Sequence, residues 1–380
     1  MLILEKDGED KSLFIQGTGK VKERAMAIDV LQSVPVTESP EVSVAIVNYV
    51  HKTGENIVLN DAVNSVEFRN DPYILNAKPQ SVLCPPIRYK GKAAGIIYLE
   101  NNLATNAFTP KRIEVLQILS AQAAISIENS LLAAAREKAL EIETEMKIAA
   151  EIQTAILPKD LFVEGFEMTA YMQPADDVGG DYYDIINTTS GDWVIIGDVC
   201  GHGVSAGLVM MMVQTAFQAF VNRFPDASPA SVFAEVNKVI MKNIQRIDAQ
   251  KYMTATAFSV NADGSIRHAG LHEDILVYRE KTKKIEVITT YGMWIGMVDD
   301  ITNMVTENTF MLHKGDVMFL YTDGIVEAWK GQEMFGVTRL VEVLEGAGGQ
   351  PTDQIREAVL SALTGYDTPD DVTMVILKKI

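Results

Sequence analysis

The chain has 380 residues, 47% hydrophobic and 22% charged, an ordinary globular composition at about twice the usual single-domain length; two domains are expected, and disorder, collagen and small disulfide scaffolds are excluded. Its formal charge of −18, from 51 acidic and 33 basic side chains, repels nucleic acid and anionic membrane surfaces and excludes both as the main partner. Residues 158–380 hold −14 of that charge, so something in the C-terminal part tolerates or uses clustered carboxylates.

Cys84 and Cys200 stand far apart in apolar surroundings. They give neither a disulfide framework nor the spacing of a thiolate metal site, which points to the cytoplasm. Cys84 reads as a small buried apolar residue. The N-terminus, MLILEKDGED, is charged by its fifth residue and lacks the basic start and long apolar core of a signal peptide. The most apolar stretch, 206–221, is interrupted by Gln214, Thr215 and Gln218. It falls short of the ~20 apolar residues of a membrane span and reads as a buried helix.

In chain order, short apolar strands come first: 2–4 before the turn DGED, 12–16 before GTG, then 57–59, 82–83, and 93–98 after the turn KGK. Between them, 40–51 has helical spacing at Val42, Ala45, Ile46, Tyr49 and Val50. This predicts an α+β first domain over 1–110. The chain opens directly on a strand, so the domain is expected to lack its first helix.

After Thr109-Pro110, a helix start with Pro in the first turn, no Pro or Gly occurs until Pro158. A helical linker over 111–157 follows, about 70 Å long at 1.5 Å per residue. Apolar stripes run through Leu116, Leu119, Ala123, Ile127, Leu131 and Ala134, and again through Ile142, Met146, Ala149, Ile152 and Ile156. Either each half packs on its adjoining domain, or the run is a dimeric coiled coil. The absence of a flexible linker favours the coiled coil and a homodimer, because a stiff helix can transmit rotation or register.

The remainder, 158–380, alternates strands at 168–172, 193–196, 254–259, 317–321 and 372–377 with helical patterns at 204–224, 229–247 and 351–363. Spacing alone suggests a parallel sheet. Four acidic clusters lie at strand ends, each containing or closely followed by glycine or a second aspartate: Gly179-Gly180-Asp181 with Asp184, Gly197-Asp198 with Gly201-His202-Gly203, Thr322-Asp323-Gly324, and Asp370-Asp371. Glycine allows tight turns and close approach of a ligand, and a carboxylate just past a buried strand stands on a rigid base. Such carboxylates need a counter-ion, and hard divalent cations, Mg²⁺ or Mn²⁺, suit an all-oxygen site without thiolates. Two such ions sharing carboxylates can activate a water and polarise a phosphoryl oxygen, which points to phosphate ester hydrolysis. No Arg or Lys lies in these clusters, so the metals must supply the positive charge that receives phosphate.

In order and separation, GGDYYDI, GDVCGHGVSAGLVM, Ala269-Gly270, FLYTDGIVEA and DDVTMVIL resemble the SpoIIE/RsbU branch of the PPM metal-dependent serine/threonine phosphatases. MKIAAEIQTAILP, 146–158, resembles the helix that precedes that domain. The resemblance implies a PPM αββα sandwich of two antiparallel sheets with the metal site at one edge. It implies that Asp198 bridges two metals, that the Val199 carbonyl coordinates one, and that Asp181, Asp323 and Asp370 complete the shells, with Asp371 able to replace Asp370. His202 could be the proton donor to the leaving serine oxygen, or it could only cap the helix that begins near Val204. The family's His-Pro-Pro after Ala-Gly is replaced here by AGLHEDILVY, which places His272 one position late, and GMWIGMV replaces a Gly-Pro-Leu-Gly-like turn. Substrate preference is what these departures put in question.

VLCPPIRYKGKAAGIIYLENNLATNAFTPKRIEVLQILSAQAAISIENSLL, 82–132, resembles the C-terminal half of a GAF domain, a sensor fold able to take a small-molecule ligand. Together these resemblances imply a cytoplasmic, dimeric, GAF-regulated protein phosphatase with two Mn²⁺ or Mg²⁺ ions. Its substrate would be a phosphoserine or phosphothreonine protein, a STAS-domain anti-sigma-factor antagonist in partner-switching signalling. The alternative is a signalling adaptor whose phosphatase-like domain binds without turnover.

Overall fold

The computed structural model describes residues 1–5, 12–22, 25–89, 92–247 and 251–380. The expected turns DGED and KGK fall wholly or largely outside these residues. The chain forms two compact units, Met1–Glu141 and Ile142–Ile380.

The first unit contains strands β1 (Leu2–Glu5), β2 (Leu13–Lys22) and β3 (Ala25–Pro35), helix α1 (Val44–Thr53), β4 (Ile57–Leu59), α2 (Pro72–Ala77), β5 (Ser81–Cys84), β6 (Pro86–Tyr89), β7 (Lys92–Ile97) and β8 (Leu99–Asn101). Two antiparallel sheets result, ordered β3-β2-β1-β7-β6 and β4-β5-β8. Ser43 caps α1 by accepting from the Ile46 N–H, and Gly54 closes it in the left-handed conformation. The helix buries Ile46, Val47 and Val50 against Ile3, Ile15, Val82 and Ile96, each buried side chain contributing about 1.5–3 kcal/mol. Cys84 lies inside this core, where burial pushes its thiol up to about 12; it is the buried apolar residue the sequence suggests.

Helix α3 (Pro110–Ala155) runs 46 residues without a break. Its leucine and isoleucine side chains are exposed at Leu131, Leu132, Leu140, Ile142, Ile148 and Ile152.

The second unit contains β9 (Phe166–Gln173), β10 (Tyr182–Thr188), β11 (Gly191–Val199), α4 (Val204–Arg223), α5 (Pro229–Arg246), β12 (Met253–Val260), β13 (Ser265–Leu271), β14 (Ile275–Arg279), β15 (Lys284–Ile288), β16 (Asn308–Met311), β17 (Val317–Tyr321), α6 (Asp323–Val326), β18 (Trp329–Lys330), β19 (Glu333–Met334), α7 (Gly336–Ala347), α8 (Thr352–Ala362) and β20 (Val372–Lys379). The sheets β10-β11-β12-β13-β16 and β15-β14-β17-β20-β9 are antiparallel throughout, so the parallel arrangement suggested by spacing is corrected. The physical reason is double burial. Trp193, Ile195 and Val199 of β11 face α4 and α5, while Val194 and Ile196 face the other sheet. On β17, Met318 and Leu320 face the first sheet, and Val317, Phe319 and Tyr321 face α7 and α8. Strands covered on both faces read as continuous apolar runs whichever way they pair. The layers are helix, sheet, sheet, helix.

By length and composition alone α3 and α4 are long and apolar enough to cross a membrane. Helix α4 turns Ala206, Val209, Met210, Val213, Phe217 and Val221 into the core.

Candidate active site

The four acidic clusters meet at one edge of the sandwich, two from each sheet. In the first sheet, pairing of Tyr182 with Gly197 brings Asp181, just before β10, beside Asp198 near the end of β11. In the second, pairing of Tyr321 with Met374 sets Asp323, just after β17, beside Asp370 and Asp371, just before β20. The sheets are tied here by the Thr322 hydroxyl, which donates to Asp181 Oδ2 at 2.8 Å and accepts from the Thr373 N–H at 3.1 Å.

Asp370 and Asp371 have different environments. Asp371 is 2% exposed and accepts the N–H groups of Ala175 (2.7 Å), Gly180 (2.6 Å) and Asp181 (3.2 Å). Its carboxylate presses so closely on Gly179 that no Cβ would fit there, which explains glycine at that position. Asp370 is more open, and its Oδ1 accepts only the Asp371 N–H. Gly180 is equally constrained, since a Cβ there would lie 2.8 Å from the Val199 carbonyl and 3.0 Å from Asp198 Oδ1. The Val199 carbonyl, Asp198 and Gly180 therefore share one small space.

These carboxylates repel one another. Burial, followed by Asp323, Asp370 and Asp371, pushes Asp198 up to about 8. Burial, followed by Asp370 and Glu327, pushes Asp323 to about 6. Asp181 lies well above the ordinary carboxylate range through burial and then Asp198. The donor set is all oxygen and carries excess negative charge, which fits hard divalent cations. Among the described residues, no three Asp, Glu, His or Cys side chains stand close enough together to hold an ion as they lie; Mg²⁺ and Mn²⁺ keep several waters and need only one or two carboxylates each.

His202 does not cap α4. Gly203 occupies the cap position with no side-chain bond, and Gly201 and Gly203 both take positive φ values, 73° and 81°, that favour glycine. The exposed His202 ring instead bonds through Nδ1 to Asp176 Oδ2 at 2.6 Å. His272 lies inside the edge: Nε2 donates to the Tyr321 carbonyl (3.0 Å) and Nδ1 accepts from the Thr254 hydroxyl (2.8 Å). Burial lowers its pKa to about 4, so the neutral ring acts as a strut between β12 and β17.

Two contributors lay outside the sequence clusters. Gln153, near the end of α3, is buried and grips Gly179 at both backbone atoms: Nε2 donates to the carbonyl at 2.7 Å and Oε1 accepts the N–H at 3.1 Å. Lys251 donates from Nζ to the Cys200 carbonyl at 2.7 Å. The amphipathic stripe hinted at Gln153, the polar residue beside Ile152; nothing in the sequence pattern marked Lys251.

This fold and acidic edge define a serine/threonine phosphatase of the PPM class, a group whose members depend on metal. The chain belongs to the SpoIIE family: residues 190–379 match the model for stage II sporulation protein E (SpoIIE), and residues 8–127 match the GAF domain. It is 25% identical over 252 residues to phosphoserine phosphatase RsbU of Bacillus subtilis (strain 168), covering 63% of this chain and 71% of RsbU. It is 27% identical over 263 residues to protein IcfG of Synechocystis, covering 61% of this chain but only 41% of IcfG. The SiaA-PP2C domain of Pseudomonas aeruginosa shares the fold, with a TM-score of 0.56 at 23% identity over 65% of this chain and 98% of that domain.

Proposed function

We propose that this chain removes phosphate from a phosphoserine or phosphothreonine of a protein partner, with two Mn²⁺ or Mg²⁺ ions held at the acidic edge. The observation that carries the proposal is the convergence of Asp181 and Asp198 from one sheet with Asp323 and Asp370 from the other, in a basin whose buried carboxylates are pushed far above their ordinary range. Asp198, the Val199 carbonyl, Asp181, Asp323 and Asp370 would hold the ions, and Asp371 holds the Gly179–Asp181 turn. Asp370 takes the ligand role because the Asp371 oxygens are engaged by three backbone N–H groups.

When bound, the ions supply Lewis acidity that lowers the pKa of a water and offsets phosphoryl charge. The chain's own residues fix the geometry. The Thr322 hydroxyl orients Asp181, and His272 sets β12 against β17. Asp176 holds the His202 ring by Nδ1, leaving Nε2 free to carry a proton to the leaving seryl oxygen.

RsbU is a phosphoserine phosphatase by name. By that likeness the substrate is a STAS-domain anti-sigma-factor antagonist, and the setting is cytoplasmic partner switching. Residues 1–110 act as the sensor of a small-molecule signal, 111–157 as the linker and 158–380 as the catalyst. The exposed apolar residues of α3 pair with those of a second copy. The 146–156 stripe changes its packing between active and inactive states, because its Gln153 grips the turn that presents Asp181. Ile152, 54% exposed, is then a regulatory position, and Ile152→Glu should change turnover or dimerisation with the carboxylates intact. If both stay at wild-type values, this mode of regulation is wrong. The function itself is tested by Mn²⁺-dependent dephosphorylation of phosphorylated STAS-domain proteins from the same genome, with p-nitrophenyl phosphate as a generic control. Binding of such partners without turnover of either substrate would favour the adaptor.

A further inference from the structure

A basin of carboxylates has to admit a phosphate dianion, and the four motifs contribute no basic side chain. The structure brings one from elsewhere. Lys251 lies just before β12, and the two residues 251–252 hold Cys200 at three points. The Lys251 ammonium donates to the Cys200 carbonyl at 2.7 Å, the Cys200 N–H donates to the Tyr252 carbonyl at 2.9 Å, and the Tyr252 N–H donates to Cys200 Sγ at 3.4 Å. Cys200 directly follows the Asp198-Val199 pair and directly precedes the Gly201-His202-Gly203 turn.

The backbone that presents Lys251 is braced from the other side as well. Met253 and Ile295 exchange both backbone hydrogen bonds, at 2.8 and 2.9 Å, and the Tyr252 ring stacks on Trp294 with centroids 4.7 Å apart and 12° between planes. The ammonium therefore projects from a fixed support. It stands over Gly201, where a Cβ would come within 2.9 Å of Nζ. Of its three N–H donors one is spent on a carbonyl, and among the described residues it has no carboxylate partner. A half-buried ammonium with no carboxylate partner among the described residues, next to the strand end that carries Asp198, is equipped to receive an anion.

We propose that Lys251 is the phosphate-contacting residue of this site, using its free N–H donors on a non-bridging oxygen of the substrate phosphoryl group while the Cys200 carbonyl holds the amine in place. The inference rests on the phosphatase reading above and adds to it a protein cation that recognises the substrate's charge. Lys251 acts by hydrogen bonding alone and forms no bond to phosphorus. The GMWIGMV segment, 292–298, acquires a role as well, because its Trp294 braces the peptide that carries the lysine.

The test compares wild type with Lys251→Met and Lys251→Arg in the full chain with Mn²⁺, using p-nitrophenyl phosphate and a phosphoserine peptide, inhibition by inorganic phosphate, and calorimetric titration of Mn²⁺ itself. The expected result is a KM and a phosphate inhibition constant both raised about tenfold in Lys251→Met, the scale of one charge-assisted hydrogen bond. Mn²⁺ affinity should not change, and Lys251→Arg should recover most of the loss. A fall in kcat and Mn²⁺ affinity with KM and phosphate inhibition unchanged would mean that the lysine only shapes the Cys200 turn, and would overturn the proposal. So would a Lys251→Met protein indistinguishable from wild type. Lys251→Gln carries the same comparison should the methionine variant melt too low for assay. A wild-type chain that turns over neither substrate with Mn²⁺ defeats the phosphatase reading, whereas an active wild type with an unaffected Lys251→Met defeats only the assignment of Lys251.

Discussion

Strand β17 has an aspartate at each end, and the two are treated in opposite ways. Asp316, just before it, is buried, but it accepts from Arg279 Nη1 at 2.8 Å and from the Glu280 and His313 N–H groups. Burial pushes its pKa up, yet the Arg279 bond and the backbone donors outweigh that and hold it below the ordinary value. Asp323, just after the strand, meets Asp370 and Glu327 and is pushed to about 6. A fold that pairs one buried carboxylate so fully has the means to pair the other. That it gathers like charges at the second end marks this end as a place where stability is surrendered for a ligand, a common property of functional sites.

The largest expected effect comes from removing a charge at the acidic end. Asp198→Asn should cut Mn²⁺-dependent turnover by at least about a hundredfold, since even partners one step removed from a metal carry 10- to 100-fold effects. In EDTA the same variant should melt no lower than wild type, because a repelling charge has gone. A substantially lowered melting temperature in EDTA would show that Asp198 is a structural acid like Asp316.

At the other end the signs reverse. Arg279→Met leaves Asp316 without its cation and should cost about 3 kcal/mol, the scale for breaking a buried pair, or roughly 6–12 °C in a unit of this size. Metal-loaded activity at low temperature should be retained. Equal thermal stability of the variant would remove the contrast between the ends.

Smaller effects refine the comparison. Gln153→Ala forfeits two hydrogen bonds to Gly179 and should lower turnover about tenfold at unchanged KM; a pure KM effect would place Gln153 on the substrate side. The smallest change concerns pH. The folded pKa of Asp316 lies below its unfolded value of 3.8, so its contribution to stability is present above about pH 4 and is lost as pH falls through the folded value. Asp316→Asn should flatten that acid limb of the melting curve, and an unchanged limb would mean that other carboxylates dominate it.

The carboxylates were legible in the sequence because each sits next to glycine or a second carboxylate at the end of an apolar run, a local pattern. The long helix was legible too, since nothing between Pro110 and Pro158 can break it. Strand direction was legible only through the family resemblance and not from spacing, because β11 and β17 are buried on both faces and lose the alternation that would identify an antiparallel sheet. Several elements went unread, among them strands β3, β10 and β13 to β16 and helices α2 and α7; β10 was missed because its tyrosines and Asp184 belong to an acidic motif that drew attention to chemistry rather than to pairing. The division of labour between Asp370 and Asp371 could not be read either. It depends on three N–H groups almost two hundred residues away, at Ala175, Gly180 and Asp181. Lys251 was invisible for the same reason, since only the fold places it on Cys200.

The central claim is that the acidic edge is a divalent-metal site that hydrolyses phosphoserine. Calorimetric titration of Mn²⁺ into the full chain and into Asp198→Asn, each followed by turnover of a phosphoserine protein, tests it most directly. Two Mn²⁺ per chain with turnover in the wild type, and lost binding with lost turnover in the variant, is the predicted result. Full turnover in EDTA, or an Asp198→Asn protein that binds Mn²⁺ and turns over like wild type, would contradict it.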